Sequence, residues 1–291
     1  MINPATQPAD SLVFDRVQIR RNRIRARPHL GESGFLIEWT AQQLCDRLGV
    51  IQRDFPTALQ IGTRNDFTGK LSGTKTLHQM DVTHAPVIAE EDALPFAGAS
   101  LDMIISALNF HSVNDLPGAL VQMRCALKPD GLLLAGMMGG ESLHELRTSL
   151  MEAELSLTGG VSPRVAPFAD KQDMGALLQR AGFALPVIDS DIVTVTYDNM
   201  FGLLKDLRLM GEGNAIAARD KRTPPRKLFM EAAKIYQEKF AEDDGRIRAT
   251  FEIIFLLGWA PHDSQQKPLK PGSAQTRLAD MLGTDEHKVK Q

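Results

Sequence analysis

A glycine turn after a short apolar segment is the first feature of this sequence whose residue types could do chemistry. The segment 58–62 has the pattern of a buried strand and ends in Gly62. In parallel sheets that bind nucleotides, glycines at such a turn let the backbone approach the ligand, and the next helix directs free amides toward it. Gln60 stands where an acid is expected, and Arg64 and Asp66 replace two further glycines. The turn therefore predicts the fold better than it predicts nucleotide binding.

Carboxylates follow the next predicted strands. Asp81 directly follows the segment 76–80, where a carboxylate can accept two hydrogen bonds from a ribose diol. An ordinary exposed turn aspartate is the alternative interpretation. Further along, Glu91 and Asp92 precede the sequence Ala-Leu-Pro-Phe, which could hydrogen-bond an adenine amino group and cover its ring. These acids are candidates for binding the nucleoside part of a ligand.

His111 is the candidate general base. It comes shortly after the fourth predicted strand, and an imidazole titrates near neutral pH. A hydrogen-bonded structural histidine that lines the cleft is the alternative interpretation. The seven histidines show no spacing with acids or cysteines that is typical of a metal site, so no metal ligand is predicted.

Composition narrows the class of protein. The chain has 291 residues, 43% of them hydrophobic, and a formal net charge of -3, which argues against bulk affinity for nucleic acid or anionic membranes. No apolar run approaches the roughly 20 residues of a membrane span, and the N-terminus lacks the charge order of a secretory signal. We therefore expect a cytoplasmic location, with peripheral membrane association left open.

A run of six arginines lies near the N-terminus, in the segment 16–27. One interpretation is a solvated helical arm. The other is an arm that folds over the cleft or docks on an acidic partner surface, because guanidinium groups recognise carboxylates well. We predict an N-terminal basic helical arm over 1–49, a main domain over 50–260 and a C-terminal tail over 261–291.

Alternating strand-like and helical segments predict an α/β sheet with helices on both faces. Two nearly continuous apolar runs, 101–107 and 132–138, are predicted to be neighbouring parallel strands. An insertion over about 201–243 is predicted to be mostly helical and to cover the carboxyl edge of the sheet, with the segment 206–208 facing the cleft. The other predicted strands are 58–62, 76–80, 87–89, 192–197 and 250–257, and the other predicted helices are 36–48, 116–127, 143–150 and 175–181.

Taken together, these segments resemble the class I S-adenosylmethionine (SAM)-dependent methyltransferases, through the acid-x-Leu-Pro-Phe element and the strand that follows it. A closer resemblance covers almost the whole chain and is to the mitochondrial complex I assembly factor 5 family and its bacterial relatives. It rests on Phe14-Asp15-Arg16 and on the segments FHSVNDLP at 110–117, LKPDG at 127–131, GGESLHELR at 139–147, SPR at 162–164, RAGF at 180–183, DLRLMG at 206–211 and GWAPHDSQ at 258–265.

This resemblance implies a Rossmann-like, seven-stranded class I methyltransferase sheet, SAM as cofactor, and a protein substrate or partner in the assembly of respiratory complex I. Hydroxylation of an arginine of a complex I subunit has also been associated with the family. By motif position, the resemblance implies that Gly62, Thr63 and Arg64 contact the methionine part of SAM and that Asp81 contacts the ribose. It further implies that Asp92 and Ala93 contact the adenine and that Asn109 and His111 border the transferred group.

Two classes of function remain open at this stage. The first is an enzyme that binds SAM and modifies, by methylation, a protein side chain. The second is a degenerate methyltransferase fold that serves as a binding module in assembly. Arg64 bears on the choice, since it could swing out, pair with the methionine carboxylate of SAM or fill the pocket.

Overall fold

The computed structural model describes residues 12–266 together with 281 and 283. The chain divides into two compact units, Met1–Pro261 and His262–Gln291. Within the described residues, no helix is long and apolar enough to cross a membrane.

The described residues contain seven strands that form one sheet. They are β1 (Thr57–Ile61), β2 (Thr76–Asp81), β3 (Val87–Ile88), β4 (Leu101–Ala107), β5 (Leu127–Met138), β6 (Ala184–Tyr197) and β7 (Ile247–Trp259). Their order in the sheet is β3-β2-β1-β4-β5-β7-β6. The first five in this order run parallel, and β7 runs antiparallel to both β5 and β6. This arrangement confirms the predicted class I methyltransferase sheet.

Helices cover both faces of the sheet, and each face has its own apolar core. The helices are α1 (Arg16–Ala26), α2 (Leu30–Ser33), α3 (Phe35–Gly49), α4 (Leu116–Ala126), α5 (His144–Thr158), α6 (Lys171–Arg180), α7 (Met200–Met210) and α8 (Arg226–Phe240), with 3-10 turns at Arg27–His29 and Phe110–Ser112. One core contains side chains of α3, α5, α7 and α8, and the other contains side chains of α4 and α6.

The central strands are nearly continuous apolar runs because both of their faces are buried. β4 and β5 pair in parallel, with Ile104 opposite Leu133, which confirms their predicted adjacency. Residues 128–131, between the predicted helix 116–127 and the predicted strand 132–138, belong to β5, where Asp130 has a φ of 64° and the pairing register shifts. β6 and β7 also begin earlier than predicted, because their first residues extend the same antiparallel pairing.

The region predicted as a helical insertion contains α7 and α8, joined by a non-helical connection. α7 ends at Met210 and is capped by Gly211, whose φ of 88° is a left-handed conformation that glycine adopts without strain. α8 begins after Pro225, which cannot continue a preceding helix. The connection between them carries residues of the candidate site.

The two long helices of the N-terminal segment have different environments. α1 begins where the side chain of Asp15 accepts a hydrogen bond from Gln18 N at 3.0 Å, and it packs beside α7. α3 instead buries Leu36, Ile37 and Leu44 in the main core. A domain boundary at residue 49 stays a prediction.

Candidate functional site

In the turn after β1, the main chain at Gly62 lies close to the side chain of Asn109. Gly62 has a φ of +85°, and a Cβ at this position would lie 2.9 Å from Asn109 Oδ1. Gln60 occupies the place of the expected acid and donates from Nε2 to the carbonyl oxygens of Gly62 and Asn65, both at 2.8 Å. A neutral amide therefore holds this loop in place.

Asp81 lies at the carboxyl end of β2, where only 3% of its surface is exposed. One carboxylate oxygen accepts from Thr83 N at 2.8 Å and Thr83 Oγ1 at 2.7 Å, and the other accepts from Thr63 N at 3.1 Å. Burial alone would raise the pKa of Asp81, but the nearby Arg23 and these hydrogen bonds outweigh it and lower the pKa. Asp81 is thus a buried, ionised acceptor beside the loop.

The second buried acid is Glu91, and not the predicted Asp92. Glu91 Oε1 accepts from Asn109 Nδ2 at 2.7 Å. Burial would raise the pKa of Glu91, but Arg23 and Arg16 outweigh it, so the pKa is lowered. The Asp92 side chain is half-buried, with its main-chain carbonyl accepting from a glutamine at 2.5 Å, and Ala93 is exposed.

Helix α1 lies over these acids, as in the second of the two interpretations of the arginine run. Arg16 pairs with Glu91. Arg23 Nη1 is 3.2 Å from Glu91 Oε1 and 3.8 Å from Asp81 Oδ2, and the Arg23 side chain is 4% exposed. The Arg23 guanidinium therefore occupies the space between the two carboxylates, where the resemblance places a nucleoside.

A second set of charged groups surrounds His111. Its Nε2 is 3.0 Å from Glu212 Oε2, and Glu212 also pairs with Arg64. The Arg64 guanidinium donates to the carbonyl oxygens of Leu108 and Met210, the latter at 3.2 Å. Burial would raise the pKa of Glu212, but Arg64 and His111 hold it well below its usual range. Arg64 is thus turned into the protein and does not swing out.

A cavity of ≈ 390 Å³ opens beside His111. Its wall is mostly apolar and includes Phe168 and Phe229. From the segment 206–208, predicted to face the cleft, Leu207 and Arg208 line the cavity, whereas Asp206 is not among its lining residues. Such a chamber could receive a long side chain or another apolar group next to the imidazole.

Three buried polar atoms around the cleft lack a hydrogen-bond partner among the described residues. They are Asn109 Oδ1, His111 Nδ1 and Arg64 Nε. Buried polar atoms are usually satisfied, so a cluster of exceptions indicates a place for a polar ligand. In the described part of the chain, no group of three histidine, cysteine or acidic side chains is arranged to hold a metal ion.

The sequence predicts only part of this site. The arginine run and the two acids at 91–92 were visible as patterns, but neither the choice of Glu91 nor its pairing with Arg23 was predicted. No sequence pattern indicates that Glu212 belongs to the site, because it lies 101 residues from His111 along the chain and is part of no charge pattern.

Comparison with known proteins places the chain in a family. A family model described as a methyltransferase domain matches residues 61–135. A Danio rerio protein named arginine-hydroxylase NDUFAF5, mitochondrial, is 39% identical over 287 residues, which cover 92% of this chain and 89% of that protein. This chain belongs to the NDUFAF5 family. The Homo sapiens protein of the same name is 36% identical over 295 residues, which cover 95% of this chain and 85% of that protein.

Other relatives of the NDUFAF5-family chain show its link to methyltransferases. A malonyl-[acyl-carrier protein] O-methyltransferase from a Methylovorus strain is 28% identical over 280 residues, which cover 87% of this chain and 92% of that protein. The solved structure of a putative methyltransferase from Bacillus halodurans aligns with a TM-score of 0.51 and 15% identity, covering 76% of this chain and 98% of that one. This second likeness shows the fold alone.

The names of the NDUFAF5 proteins also correct one expectation. A cytoplasmic location is predicted above from composition, yet these relatives are named as mitochondrial proteins. The prediction is therefore wrong. The physical reason is that charge and hydropathy exclude a membrane span but do not distinguish one aqueous compartment from another.

Proposed function

We propose that this protein binds SAM at the carboxyl ends of β1, β2 and β4 and methylates a side chain of a protein substrate during assembly of respiratory complex I. The observation that carries the proposal is the pair of buried, ionised carboxylates, Asp81 and Glu91, beside the close-approach turn at Gly62. Family membership supports the substrate class, because the relatives are named as enzymes that act on arginine.

The residues of the site fit the cofactor group by group. Asp81 would accept hydrogen bonds from the ribose diol, and Glu91 is the acid placed to accept from the adenine amino group. Gly62, Thr63 and Arg64 would face the methionine part, as the resemblance implies. Asp92 and Ala93, also predicted to contact adenine, lie farther out and would at most border it.

The unpartnered atoms give an independent reason for this fit. Asn109 Oδ1 lies at the close-approach turn, and it has no hydrogen-bond partner among the described residues. A ligand amine or hydroxyl there would satisfy it. When bound, SAM supplies a methyl group that is already activated on a sulfonium, so positioning provides most of the rate enhancement.

Cofactor binding requires Arg23 to leave the space between Asp81 and Glu91. The guanidinium lies within 4 Å of both carboxylates, so it and a nucleoside exclude each other. Since Arg23 belongs to α1, a shift of this helix would open the site without disturbing the strands. Apparent affinity for SAM is then reduced by the cost of separating the ion pairs.

The substrate side chain would enter the cavity next to His111. The apolar wall fits the methylene stem of a long side chain, and the polar end contains the only imidazole that lines it among the described residues. His111 is the candidate base, because a protonated acceptor must lose a proton as it is methylated.

Arginine hydroxylation is the second candidate activity, and the name of the relatives favours it. A binding module without chemistry is the third, favoured by the occupation of the nucleoside space by Arg23. The three candidates predict different covalent products on the partner protein.

Mass spectrometry of complex I subunits from cells with and without this protein separates these candidates. The proposal expects a residue that carries the mass of a methyl group only when the protein is present. A residue that differs by the mass of one oxygen atom would replace methylation by hydroxylation. Identical subunits combined with failed assembly would leave the binding module.

A further inference from the structure

We propose that Glu212 is the positioning residue that fixes His111 as its Nε2–H tautomer, which leaves Nδ1 as the proton acceptor for a substrate side chain in the cavity. The inference deepens the proposed function and rests on it for the role of the cavity. It concerns atoms that can be observed without a substrate or a cofactor.

The tautomer follows from the contact between the two side chains. Glu212 Oε2 is 3.0 Å from His111 Nε2, and the low pKa of Glu212 keeps its carboxylate ionised. An ionised carboxylate only accepts hydrogen bonds, so Nε2 carries the hydrogen. In a neutral imidazole, Nδ1 then has a free lone pair.

The other ring nitrogen has no hydrogen-bond partner. The His111 ring lines the cavity and 7% of the residue is exposed, while Nδ1 itself is buried and unpartnered among the described residues. A substrate donor therefore reaches Nδ1 only after a small shift of the ring or of the atoms that cover it. The ring of Phe168 packs edge-on against the imidazole at 5.8 Å between centroids, which restricts rotation of the ring. A buried lone pair without a partner is costly unless a ligand supplies the missing donor.

Glu212 is itself placed by the end of α7. Its N–H donates to the Leu207 carbonyl oxygen at 2.8 Å, and the N–H of Gly211 donates to the Arg208 carbonyl oxygen at 3.3 Å. These two bonds around a left-handed glycine form a Schellman cap. A rigid helix terminus therefore directs the carboxylate toward His111.

Charged groups surround the imidazole and the cavity beside it. Arg164, Arg208, Arg219 and Asp220 also line this cavity. Arg64 pairs with Glu212 and keeps it ionised, and Arg23 lines the same cavity from α1. When the substrate N–H or O–H gives its proton to Nδ1, the ring becomes an imidazolium with hydrogen on both nitrogens. Glu212 stabilises the new positive charge, and the substrate atom keeps the electron pair that it needs to react.

The test is the 15N NMR spectrum of histidine-labelled protein, with the His111 signals assigned by their loss in His111→Gln. In the neutral ring, we expect Nε2–H to exceed Nδ1–H by roughly tenfold or more in the wild type. In Glu212→Gln, we expect this preference to fall several-fold, because an amide can either donate or accept.

Glu145→Gln is the matched control. Glu145 is a fully buried carboxylate that accepts from Thr250 Oγ1 at 2.5 Å, on the helix–sheet interface of α5 and β7. We expect this variant to keep the wild-type His111 tautomer. A shift as large as that in Glu212→Gln would overturn the assignment, since it would reflect a general loss of packing.

The wild-type spectrum tests the assigned His111 tautomer even if Glu212→Gln does not fold. A dominant Nδ1–H tautomer in the wild type would overturn the inference outright. Failure of SAM to bind is a separate result, because it would remove the proposed function and leave the tautomer unchanged. The two ideas can therefore fail independently.

Discussion

The cleft contains two clusters of buried carboxylates and arginines that are alike in chemistry and different in how they are tethered. In the arm cluster, Asp81 and Glu91 are paired with Arg16 and Arg23 of α1. In the loop cluster, Glu212 is paired with Arg64 and His111, which both follow strands of the sheet.

The two clusters differ in how easily their arginines can move away from the carboxylates. All arginines of the arm cluster belong to one helix, so they can leave the carboxylates together when that helix moves. Arg64 of the loop cluster is two residues beyond Gly62, and its guanidinium is also held by the main-chain carbonyl oxygens of Leu108 and Met210. The arginine–carboxylate pairs of the arm cluster therefore block the proposed cofactor site, whereas those of the loop cluster hold Glu212 beside His111.

The largest expected effect is on stability, from Glu91→Ala in the arm cluster. This change leaves the 4%-exposed side chain of Arg23 without its nearest carboxylate. Breaking a buried ion pair on one side costs about 3–5 kcal/mol of unfolding free energy. Urea denaturation of the two proteins measures the difference.

Glu90→Ala is the control for that loss, because Glu90 also pairs with arginines of α1 but its side chain is 25% exposed. We expect it to cost at most about 1 kcal/mol. Equal costs for the two glutamates would mean that the arm is held by surface charge and that burial of Glu91 is unimportant.

The next effect concerns the cofactor. Asp81→Ala removes both proposed ribose acceptors, and we expect SAM affinity to fall by about 1.5–3 kcal/mol, because hydrogen bonds to a charged acceptor are strong. Isothermal titration of wild type and variant, after confirming that both are folded, gives the number. Unchanged affinity would remove Asp81 from the cofactor site.

Arg64→Gly probes the loop cluster in the same titration. If Arg64 faces the methionine carboxylate, its loss weakens SAM binding by about 1 kcal/mol, less than a fully available arginine would contribute, because Glu212 shares its charge. A silent wild type together with a glycine variant that binds would show the opposite: Arg64 fills the pocket, and the protein is a degenerate methyltransferase.

The smallest effect is the pH dependence of stability. The folded pKa values of Asp81 and Glu91 lie below their ordinary values of 3.8 and 4.5. Their stabilisation is therefore complete above those ordinary values and is lost as pH falls through the lowered ones. We expect the urea midpoint to fall as pH drops below about 4.5 in the wild type and to fall less in Glu91→Gln.

Glu238→Gln is a suitable comparison for this measurement, since Glu238 is exposed and pairs only weakly with Lys234 at 3.9 Å. It should follow the wild-type curve. If the curve of Glu91→Gln is also unchanged, the acid sensitivity of the fold arises outside the arm cluster.

The sequence predicts the fold well because the signals for it are local. The apolar runs of β4 and β5 require burial on both faces, and strands of that kind pair side by side. Asp81 and His111 could be predicted at one edge of the sheet for a similar reason, since parallel strands end at a common edge.

The partners of those residues could not be predicted from the sequence. Glu91 and Asp92 lie in a short irregular segment. Because such a segment has no regular repeat, the sequence does not show which of the two side chains points into the protein. Arg23 and Glu212 reach the cleft only because α1 and the end of α7 pack together. Such packing depends on shape complementarity between distant segments, so residue types and spacing alone do not define it.

The most direct test of the account is a SAM titration of ligand-free wild type, Arg23→Ala and Arg25→Ala. Arg25 is an exposed arginine of the same helix, so it controls for the loss of one positive charge. We predict that wild type and Arg25→Ala bind alike and that Arg23→Ala binds roughly tenfold more tightly, because the guanidinium no longer competes for Asp81 and Glu91. Equal or weaker binding by Arg23→Ala, or no binding by any of the three, would contradict the account.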